Sequence, residues 1–543
     1  MLSYRKLAMR VLGHPLHTGG IDSPRPASQR AAAFILTAAM LTTLAAPAFA
    51  DIWHIENGDI TISAGESGNN VTQNNNTTYG DTNTIITNQN KDTASSHTVT
   101  IEAKDKDDKV EVTLKDVNID TSSRNKAAVS VTGEGDTNIK LDGDNALKSD
   151  IYRSGIYGSG SGSLTISGGE NDSLTAQGGS GANGISSSRS LTIYDGTVNA
   201  KGGNGGDGNY SDGGSGISSN GSLTISGGTV EANGGNGNSG GDGITSNGGV
   251  TISGGSTVTA NGGNGGSLVG GSGISNGGSL TVSDGTVTAK GGNGDSKDGY
   301  GGDGIRSGGV VTISGNTVNA AGGYGGKVGG YGICSFDRVA ISGGTVEAAG
   351  GNGSTGGGSG IYSSVIDLSG SLELTAKAGS PNGKALSQKG SELVLDTIKD
   401  KLGPGAKVTA TDADGKVIDQ VSTPRPVEPE ESSSSSDGGS AAPSAPASPL
   451  PGLTVTDKDG QRISYTSTQS GNTLTVCVGR LTASFRISLA ALRQLRAEGI
   501  ETITFQTILC STTLSVDELL AMGGEDAEAV LTHRFTDSSL TVD

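Results

Sequence analysis

The sequence is poor in large side chains, and it offers few of the residues that bind zinc. Only 3% of its 543 residues are aromatic, and the whole apolar set makes up 32%. A thick core of large side chains cannot be built from this composition, which is unlike that of an ordinary globular enzyme. Beyond residue 50 the histidines are His54, His97 and His533, and no Cys-x-x-C occurs. These residues are too scattered for a zinc site, which is therefore not expected.

Cysteine is scarce as well. Cys334 stands alone in the middle of the chain, whereas Cys477 and Cys510 both belong to the last segment. In an oxidising compartment Cys477 and Cys510 are a candidate disulfide pair. The sequence alone leaves this pairing open.

Positive charge is also in short supply. The formal net charge of the whole chain is −18. The first 50 residues have a net charge of +4, so the rest of the chain has a net charge of −22. Binding to phosphate groups requires clusters of Lys and Arg. The balance therefore argues against nucleic acid and anionic membranes as partners, and it is typical of a solvated extracellular protein.

Residues 1–50 have the pattern of a signal peptide. Several Arg and Lys residues precede an apolar run from Ala31 to Ala46, which ends in Ala48-Phe49-Ala50 just before Asp51. A small-x-small triplet after a short apolar run is a cleavage signature. The run is too short for a comfortable membrane span, and no second run follows. We expect a secreted or cell-surface protein with no membrane span in the mature chain.

Glycine is abundant, with 94 residues, and many of the glycines belong to a sequence repeat of about 29 residues. Each repeat contains a Gly-Ile step, a Leu-Thr-Ile step and a Val-x-Ala step, separated by Gly, Ser and Asn. The Gly-Ile step occurs at Ile156, Ile185, Ile217, Ile244, Ile274, Ile305, Ile333 and Ile361. Apolar alternation with period two indicates strands with one buried face. Such short strands are stable only when they stack on identical neighbours, which predicts an all-β, right-handed parallel β-helix.

The corners between strands carry their own signals. Gly203-Asn204, Gly235-Asn236, Gly263-Asn264, Gly292-Asn293 and Gly351-Asn352 follow the Val-x-Ala step. We expect left-handed backbone at these corners, because Gly and Asn tolerate it, and side-chain amides that bond to one another from coil to coil. The middle threonines of the Leu-Thr-Ile steps should form an outward column: Thr165, Thr192, Thr224, Thr251, Thr281 and Thr312. Such hydroxyl arrays occur on ice-binding solenoids, although Thr simply suits an exposed strand.

The chain divides into five segments. A signal peptide (1–50) precedes an N-terminal cap (51–96), and the parallel β-helix with its own C-terminal cap covers 97–421. A linker rich in Pro and Ser (422–452) leads to a small α+β domain (453–543). In that domain Ser488 is expected to cap a helix that ends at Gly499, and Ser515 begins a capping box.

Candidate binding residues are few. Tyr300, Tyr324, Tyr331 and Tyr362 lie in or beside turns of the later coils, where aromatic faces are the usual platform for sugars. Asp242 and Asp303 share one turn position, two residues before the Gly-Ile step. Isolated carboxylates of this kind can hold Ca²⁺ together with backbone carbonyls. Calcium is accordingly the one candidate cofactor, and it would bridge the acidic chain to an acidic glycan.

Catalytic patterns are weak. Three strings fit Gly-x-Gly-x-x-Gly (203–208, 235–240 and 351–356), but none opens a helix as a dinucleotide site requires. Glu231 and Glu347 are separated by four coils, about 19 Å, which is too far for paired glycosidase carboxylates. Asp337-Arg338 is the only adjacent Asp–Arg pair in the coils. We expect no enzyme activity, and a polysaccharide lyase is the alternative.

Part of the chain resembles a known family. The succession Val112–Asp120, Ala127–Val131, Asn138–Ser149, Ser154–Ile156 and Ser163–Ser167 resembles the clostridial-type carbohydrate-binding β-helix proteins. These are secreted right-handed parallel β-helices related in fold to pectate lyases, and the resemblance covers roughly 97–380. It implies non-catalytic binding of plant-type or acidic polysaccharide, with Ca²⁺ as a candidate bridge. No ligand residue of the family can be matched to a position here. A polysaccharide or surface glycan is the expected partner, and a structural stalk or adhesin is a further alternative.

Overall fold

The structure is a computed structural model, and it describes residues 51–206, 212–424 and 452–542, the last range with gaps at 458–460, 464, 471, 479–481, 508–510, 523–526 and 534–537. Strands dominate, and they wind into a β-solenoid of about 14 turns with about 28 residues per turn. The predicted all-β parallel β-helix is confirmed. The predicted signal peptide and most of the predicted linker lie outside the described residues.

The strands of the coils form three columns, and most coils contribute one strand to each column. The first column holds the Gly-Ile step and comprises β2 (Ile60–Gly65), β6 (Val99–Ala103), β9 (Val129–Gly133), β12 (Ile156–Gly158), β15 (Ile185–Ser187), β18 (Ile217–Ser219), β21 (Ile244–Ser246), β24 (Ile274–Asn276), β27 (Ile305–Ser307), the start of β30 (Ile333–Ile341), the start of β32 (Ile361–Leu368) and β34 (Leu386–Gln388). The second holds the Leu-Thr-Ile step and comprises β5 (Ile85–Thr87), β7 (Lys109–Lys115), β10 (Asp136–Asp142), β13 (Leu164–Ser167), β16 (Leu191–Tyr194), β19 (Leu223–Ser226), β22 (Val250–Ser253), β25 (Leu280–Val282), β28 (Val311–Ile313) and the ends of β30 and β32. The third holds the Val-x-Ala step and comprises β8 (Asn118–Asp120), β11 (Asp144–Lys148), β14 (Ser173–Gln177), β17 (Thr197–Lys201), β20 (Thr229–Asn233), β23 (Ser256–Asn261), β26 (Gly285–Lys290), β29 (Thr317–Ala321), β31 (Gly344–Ala349), β33 (Leu372–Lys377) and β36 (Lys407–Thr411).

Equivalent residues of successive coils lie directly opposite each other. Ile217 pairs with Ile244, and Ile244 pairs with Ile274, in parallel register. The inward apolar residues of all three columns are buried and belong to one continuous apolar cluster that runs from Ile55 to Val421. Burying one Ile or Leu in this way stabilises the fold by about 1.5–3 kcal/mol. Many thin layers therefore replace the thick core that the composition excludes.

The outward threonine column is present as predicted. Thr165 pairs with Thr192, and the in-register series continues through Thr224, Thr251 and Thr281 to Thr312. All six side chains are half-buried or exposed. The inside and outside faces of the second column are thus assigned correctly from the sequence.

Glycine backbones form a second packed layer in the turn from the third column back to the first. We call this layer the glycine lobe, and its members are the outgoing pairs, such as Gly262-Gly263, and the returning pairs, such as Gly270-Gly271. Gly271 N donates to Gly263 O at 2.8 Å within one coil, and Gly292 N of the next coil donates to Gly271 O at 2.8 Å. A Cβ atom at Gly271 would lie 1.9 Å from Gly241 O. These positions exclude any side chain.

The expectation of left-handed backbone at the Gly-Asn corners is wrong. Neither the glycines nor the asparagines of these five corners have positive φ. Left-handed glycines occur instead in the turn between the second and third columns, for example Gly227 with φ 84° and Gly254 with φ 69°. In the lobe, glycine is needed because neighbouring backbones approach closely, not because the chain reverses its hand.

The asparagines of the corners do form a ladder, but with different partners from those expected. Asn204 Oδ1 accepts from Asn236 N at 2.9 Å, Asn236 Oδ1 from Asn264 N at 2.7 Å, and Asn264 Oδ1 from Asn293 N at 2.9 Å. Each amide oxygen therefore satisfies a backbone N–H of the next coil rather than a neighbouring amide. The ladder continues across a non-Asn residue, since Tyr324 N donates to Asn293 Oδ1 at 2.9 Å.

The N-terminal end of the stack closes with antiparallel strands. β1 (Ile52–His54) and the 3-10 helix Ile55–Asn57 precede β2, and β3 (Gly68–Gln73) and β4 (Asn76–Asp81) follow it. β2 stacks in parallel on β6, whereas β3 runs antiparallel to β2 and β4 antiparallel to β3. Trp53 Nε1 donates to Asp81 Oδ2 at 3.0 Å. β1 also stacks in parallel on β5, so the parallel stack begins at residue 52, inside the segment predicted to be a cap.

The C-terminal end closes in a similar way. β35 (Ser391–Glu392) runs antiparallel to β34, and β37 (Val417–Ser422) runs antiparallel to β36. A 3-10 helix, Leu395–Lys401, lies between them with Leu395 and Ile398 buried. Asp419 Oδ2 accepts from Leu395 N at 3.0 Å, which ties β37 to this helix.

The last segment is a separate α+β unit with its own core. One sheet has the strand order β38 (Leu453–Thr456), β41 (Ala483–Ser488), β44 (Glu528–His533) and β45 (Ser538–Val542). The other sheet has the strand order β39 (Thr466–Ser470), β40 (Thr473–Cys477), β42 (Thr502–Gln506) and β43 (Ser511–Ser515). Helices α1 (Leu489–Ala497) and α2 (Val516–Met522) each follow a strand directly. Both predicted caps are present: Ser488 Oγ accepts from Ala491 N at 3.2 Å, and Ser515 Oγ from Glu518 N at 3.4 Å. Gly499, with φ 92°, follows α1 as expected.

The inward and outward faces of the second column can be tested by a matched pair of substitutions. Ile225 is fully buried, so Ile225→Asp puts a charge into the thin core and should cost more than about 3 kcal/mol of folding free energy. Thr224→Asp lies on the outer face next to it and should be tolerated. Thermal unfolding followed by circular dichroism measures both, and equal losses would contradict the assignment.

The glycine lobe makes a second prediction. Gly271→Ala places its Cβ against the backbone oxygen of Gly241, which cannot move alone. We therefore expect the substitution to lower the free energy of unfolding by about 1–3 kcal/mol. Gly356→Ala is the control, because its Cβ would meet only Val328 side-chain atoms at 3.9 Å, an ordinary contact. If calorimetry gives the same midpoint for both variants, the lobe is not close-packed.

Candidate functional site

The four candidate tyrosines do not gather on one edge. Tyr331 and Tyr362 stack on each other at the first column, with ring centroids 4.9 Å apart and planes inclined by 18°. Tyr300 and Tyr324 belong to the glycine lobe instead and are 45% and 46% exposed. The structure therefore splits the set into two pairs on different parts of the coil.

The stacked pair belongs to a dense cluster. Arg306 donates to Asp303 Oδ2 at 3.2 Å, and its guanidinium also lies 5.0 Å from the ring centre of Phe336. Burial raises the pKa of Tyr331, and it raises the pKa of the neighbouring Cys334 thiol to about 12. Cys334 is consequently held as an unreactive thiol. Because Tyr331 and Tyr362 stack on each other, one face of each ring is not available to a sugar.

Of the two lobe tyrosines, Tyr324 lines a depression. Lys327 Nζ sits 5.6 Å from the ring centre of Tyr300 and partly covers it. Tyr324 lines an open depression of about 290 Å³ together with Asn352 and Lys377. Small residues complete its lining: Gly322, Ala349, Gly350, Gly351 and Ala413.

The depression follows from a break in the repeat. The last outward position of the third column carries Lys290, Ala321, Ala349 and Lys377 in consecutive coils. The short side chains of the two alanines leave a hollow between the two lysines. Next to this hollow, Tyr324 occupies the ladder position that is asparagine in the neighbouring coils. Asn352 Oδ1 already accepts from Ser380 N at 2.8 Å, so its amide nitrogen is the group left to donate.

Lys377 resembles Lys201 and Lys290, which occupy the equivalent position in earlier coils and also form no ion pair within the described ranges, and it differs from the paired lysines of the first coils. Lys115 and Lys148 face carboxylates of a neighbouring coil, with Nζ 2.7 Å from Asp142 Oδ2 and 2.9 Å from Asp120 Oδ2. Across the described ranges, Lys377 forms no ion pair. Sequence reasoning missed Lys377 and Asn352, and the only signal for them was the pair of alanines at a position that is elsewhere polar.

The two candidate calcium ligands have structural partners. Asp242 Oδ1 accepts from Ser272 N at 2.6 Å, and Asp303 Oδ1 accepts from Tyr331 N at 2.7 Å. Both carboxylates thus hold a backbone N–H of the next coil, as Asn183 Oδ1 does with Ser215 N at 2.8 Å. No group of three or more His, Cys, Asp or Glu side chains in the described part of the chain could hold a metal ion. The geometry gives the calcium hypothesis no support.

The residues considered for catalysis stay apart. Register places Thr259, Thr288 and Asn319 between Glu231 and Glu347, so these carboxylates are four coils apart as expected. Arg338 Nη1 lies 3.9 Å from Asp367 Oδ2, and Asp337 N donates to Ser335 Oγ at 3.1 Å. The candidate disulfide is untested, because Cys510 lies outside the described residues; Cys477 Sγ lies 3.5 Å from Gln506 Oε1.

The half-buried carboxylate of Asp242 makes a prediction about pH. Burial raises the pKa of Asp242 to about 6, so between about pH 4 and 6 the folded chain keeps a proton that the unfolded chain releases. Stability therefore falls as the pH rises through this window, by an amount of order 1–3 kcal/mol. Asp242→Asn keeps the oxygen that accepts from Ser272 N, and it should raise the melting temperature at pH 7 but not at pH 4.

Asp303→Asn is the control for that substitution. It also keeps the ladder bond but breaks the ion pair with Arg306, so its gain at pH 7 should be smaller. A lower melting temperature for Asp242→Asn at pH 7, together with stabilisation of the unmodified chain by Ca²⁺, would instead favour the calcium hypothesis.

Comparison with known proteins identifies no relative of this chain. No protein-family model matches it, and neither does any curated protein or solved structure. In the part of the chain that the structure describes, no helix is long and apolar enough to span a bilayer. The resemblance to the clostridial-type β-helix proteins stays a prediction.

Proposed function

We propose that this protein is a non-catalytic β-solenoid, secreted or held at the cell surface, that binds carbohydrate. The observation that carries the proposal is Tyr324, a 46% exposed aromatic ring that lines an open depression whose other residues are Gly, Ala, Asn352 and Lys377. An exposed aromatic face with convergent polar groups is the usual arrangement for holding a sugar ring.

The polar groups of the depression suit a sugar. Tyr324 offers the ring, Asn352 offers amide hydrogens to hydroxyl oxygens, and the unpaired Lys377 adds a positive charge that attracts a carboxylate-bearing residue. Calcium has no place in this arrangement, because Asp242 and Asp303 are both used in backbone ladders. The secreted location rests on the signal-peptide pattern of residues 1–50.

A glycan array of neutral and acidic oligosaccharides, followed by calorimetric titration of the hits, tests the proposal. Tyr324→Ala should weaken binding about tenfold or more, and it should do so for neutral and acidic ligands alike. Lys377→Ala should weaken the binding of acidic ligands only. Chelation by EDTA should change neither.

Tyr152→Ala is the matched control, since Tyr152 is 70% exposed on an early coil, outside the residues that line the depression, and its loss should not affect binding. An array without hits would favour the structural stalk. Release of unsaturated or reducing ends from pectate or xylan, lost in Asp337→Asn or Arg338→Ala, would overturn the non-catalytic proposal in favour of a lyase.

A further inference from the structure

The chain is rich in a dipeptide that is chemically unstable. Asparagine loses its side-chain amide most readily when glycine follows it, because glycine has no Cβ to hinder the approach of its own backbone nitrogen. The chain contains thirteen such Asn-Gly pairs, and since the following residue is the same in all of them, local structure decides which pairs react. The pairs begin at Asn57, Asn183, Asn204, Asn220, Asn233, Asn236, Asn247, Asn261, Asn264, Asn276, Asn293, Asn352 and Asn382.

The reaction is a displacement within the chain. The glycine nitrogen gives up its proton and attacks Cγ of the preceding asparagine, the Cγ–Nδ2 bond breaks, and ammonia leaves. Water then opens the cyclic succinimide at either carbonyl and yields aspartate or isoaspartate. For each asparagine one water is consumed and one ammonia is released. A glycine N–H that donates a hydrogen bond, or a side-chain amide that is itself bonded, must break that bond before the attack is possible.

Eleven of the pairs are held by neighbouring coils in both ways. Their glycine N–H groups donate to carbonyl oxygens of an adjacent coil at 2.6–3.2 Å. Their asparagine side chains are bonded to an adjacent coil as well. In one example, Gly265 N donates to Asn293 O at 2.7 Å, and Asn264 Oδ1 accepts from Asn293 N at 2.9 Å. Neither group can reach the geometry of attack unless two coils separate.

The first and the last pair lack this protection. Asn57-Gly58 belongs to the N-terminal cap, and Asn382-Gly383 lies between β33 and β34. Their glycine N–H groups donate only within their own turn, to Ile55 O at 3.4 Å and to Gly379 O at 3.0 Å. Within the described ranges, neither asparagine side chain forms a hydrogen bond. Both asparagines are exposed, but so is the bonded Asn204, so bonding rather than exposure distinguishes the two pairs.

We propose that Asn57 and Asn382 are the sites at which this protein deamidates spontaneously, and that the stacking of coils protects the other eleven Asn-Gly pairs. A single turn opens at a much lower free energy than a stack of paired coils. Each reaction replaces a neutral amide by a carboxylate, so the folded chain gains negative charge only at these two positions. This inference does not depend on the proposed binding of carbohydrate.

The same chemistry has a different effect on a coil that has come apart. Isoaspartate carries the main chain through the former side chain and so adds one carbon atom to the backbone. A coil lengthened in this way cannot pair in register with the coils on both sides. Unfolding of the stack therefore becomes irreversible with time, because the unfolded chain is chemically altered before it refolds.

Peptide mapping by mass spectrometry during incubation of the full chain at mildly alkaline pH tests the proposal. In denaturant all thirteen pairs should react at similar rates. In the folded chain Asn57 and Asn382 should react within about tenfold of their rates in denaturant, whereas the eleven stacked pairs should be slowed about a hundredfold or more. Labelling by an isoaspartyl methyltransferase measures the isoaspartate product independently.

Two variants serve as controls. Replacing both end sites, Asn57→Gln with Asn382→Gln, should remove the early reaction and leave the other eleven rates unchanged, because glutamine must close a larger ring and reacts far more slowly. Gly271→Ala forces apart the glycine lobe in the coil of Asn264, so it should accelerate the reaction at Asn264 but not at Asn382. Stacked pairs that react as fast as the end pairs in the folded chain, or end pairs as strongly protected as the stacked ones, would overturn the proposal.

Discussion

Every feature of the solenoid depends on the backbone hydrogen bonds between neighbouring coils. These bonds fix the separation of coils at about 4.8 Å, whatever side chains the coils carry. A residue can therefore occupy an inward position only if it packs on its own equivalent one step above and below, which explains the unbroken series Ile217, Ile244 and Ile274. The same separation leaves no room for a Cβ between the backbones of the glycine lobe.

The strand columns were predictable because they depend only on local alternation. Ile225 and Thr224 are adjacent in sequence, and their opposite faces follow from the period of two. The glycine lobe was not predictable in this way. Gly263 looks in sequence like any flexible corner, and its real constraint, contact with Gly235 of the preceding coil, comes from a residue distant in sequence. The asparagine ladder was half predicted, because stacking follows from the period but the choice of partner, backbone N–H or amide, does not.

The candidate site was predicted less well than the fold, for a related reason. Tyr324 was singled out by its residue type, but so were three other tyrosines, and only side-chain packing separates them. Tyr362 stacks on Tyr331, and Lys327 lies over one part of the Tyr300 ring. Lys377 and Asn352 lie more than 20 residues from Tyr324 in sequence and reach it through the stacking of coils. In a repeat protein the informative positions are those that depart from the repeat, and their meaning depends on which coils they adjoin.

The glycine lobe also bears on how the chain meets proteases. Long surface turns are the usual sites of cleavage, because a protease binds its substrate as an extended strand and needs free backbone groups. In each regular coil the longest turn is the lobe, and there the N–H of a glycine such as Gly271 and its carbonyl are both already bonded to other glycines. It also presents no side chain at these positions for a specificity pocket to hold. The glycine pairs, which look flexible in sequence, are thus closed to proteolysis for as long as the coils stay stacked, and cleavage is left to the residues between the pairs, such as the exposed Leu268.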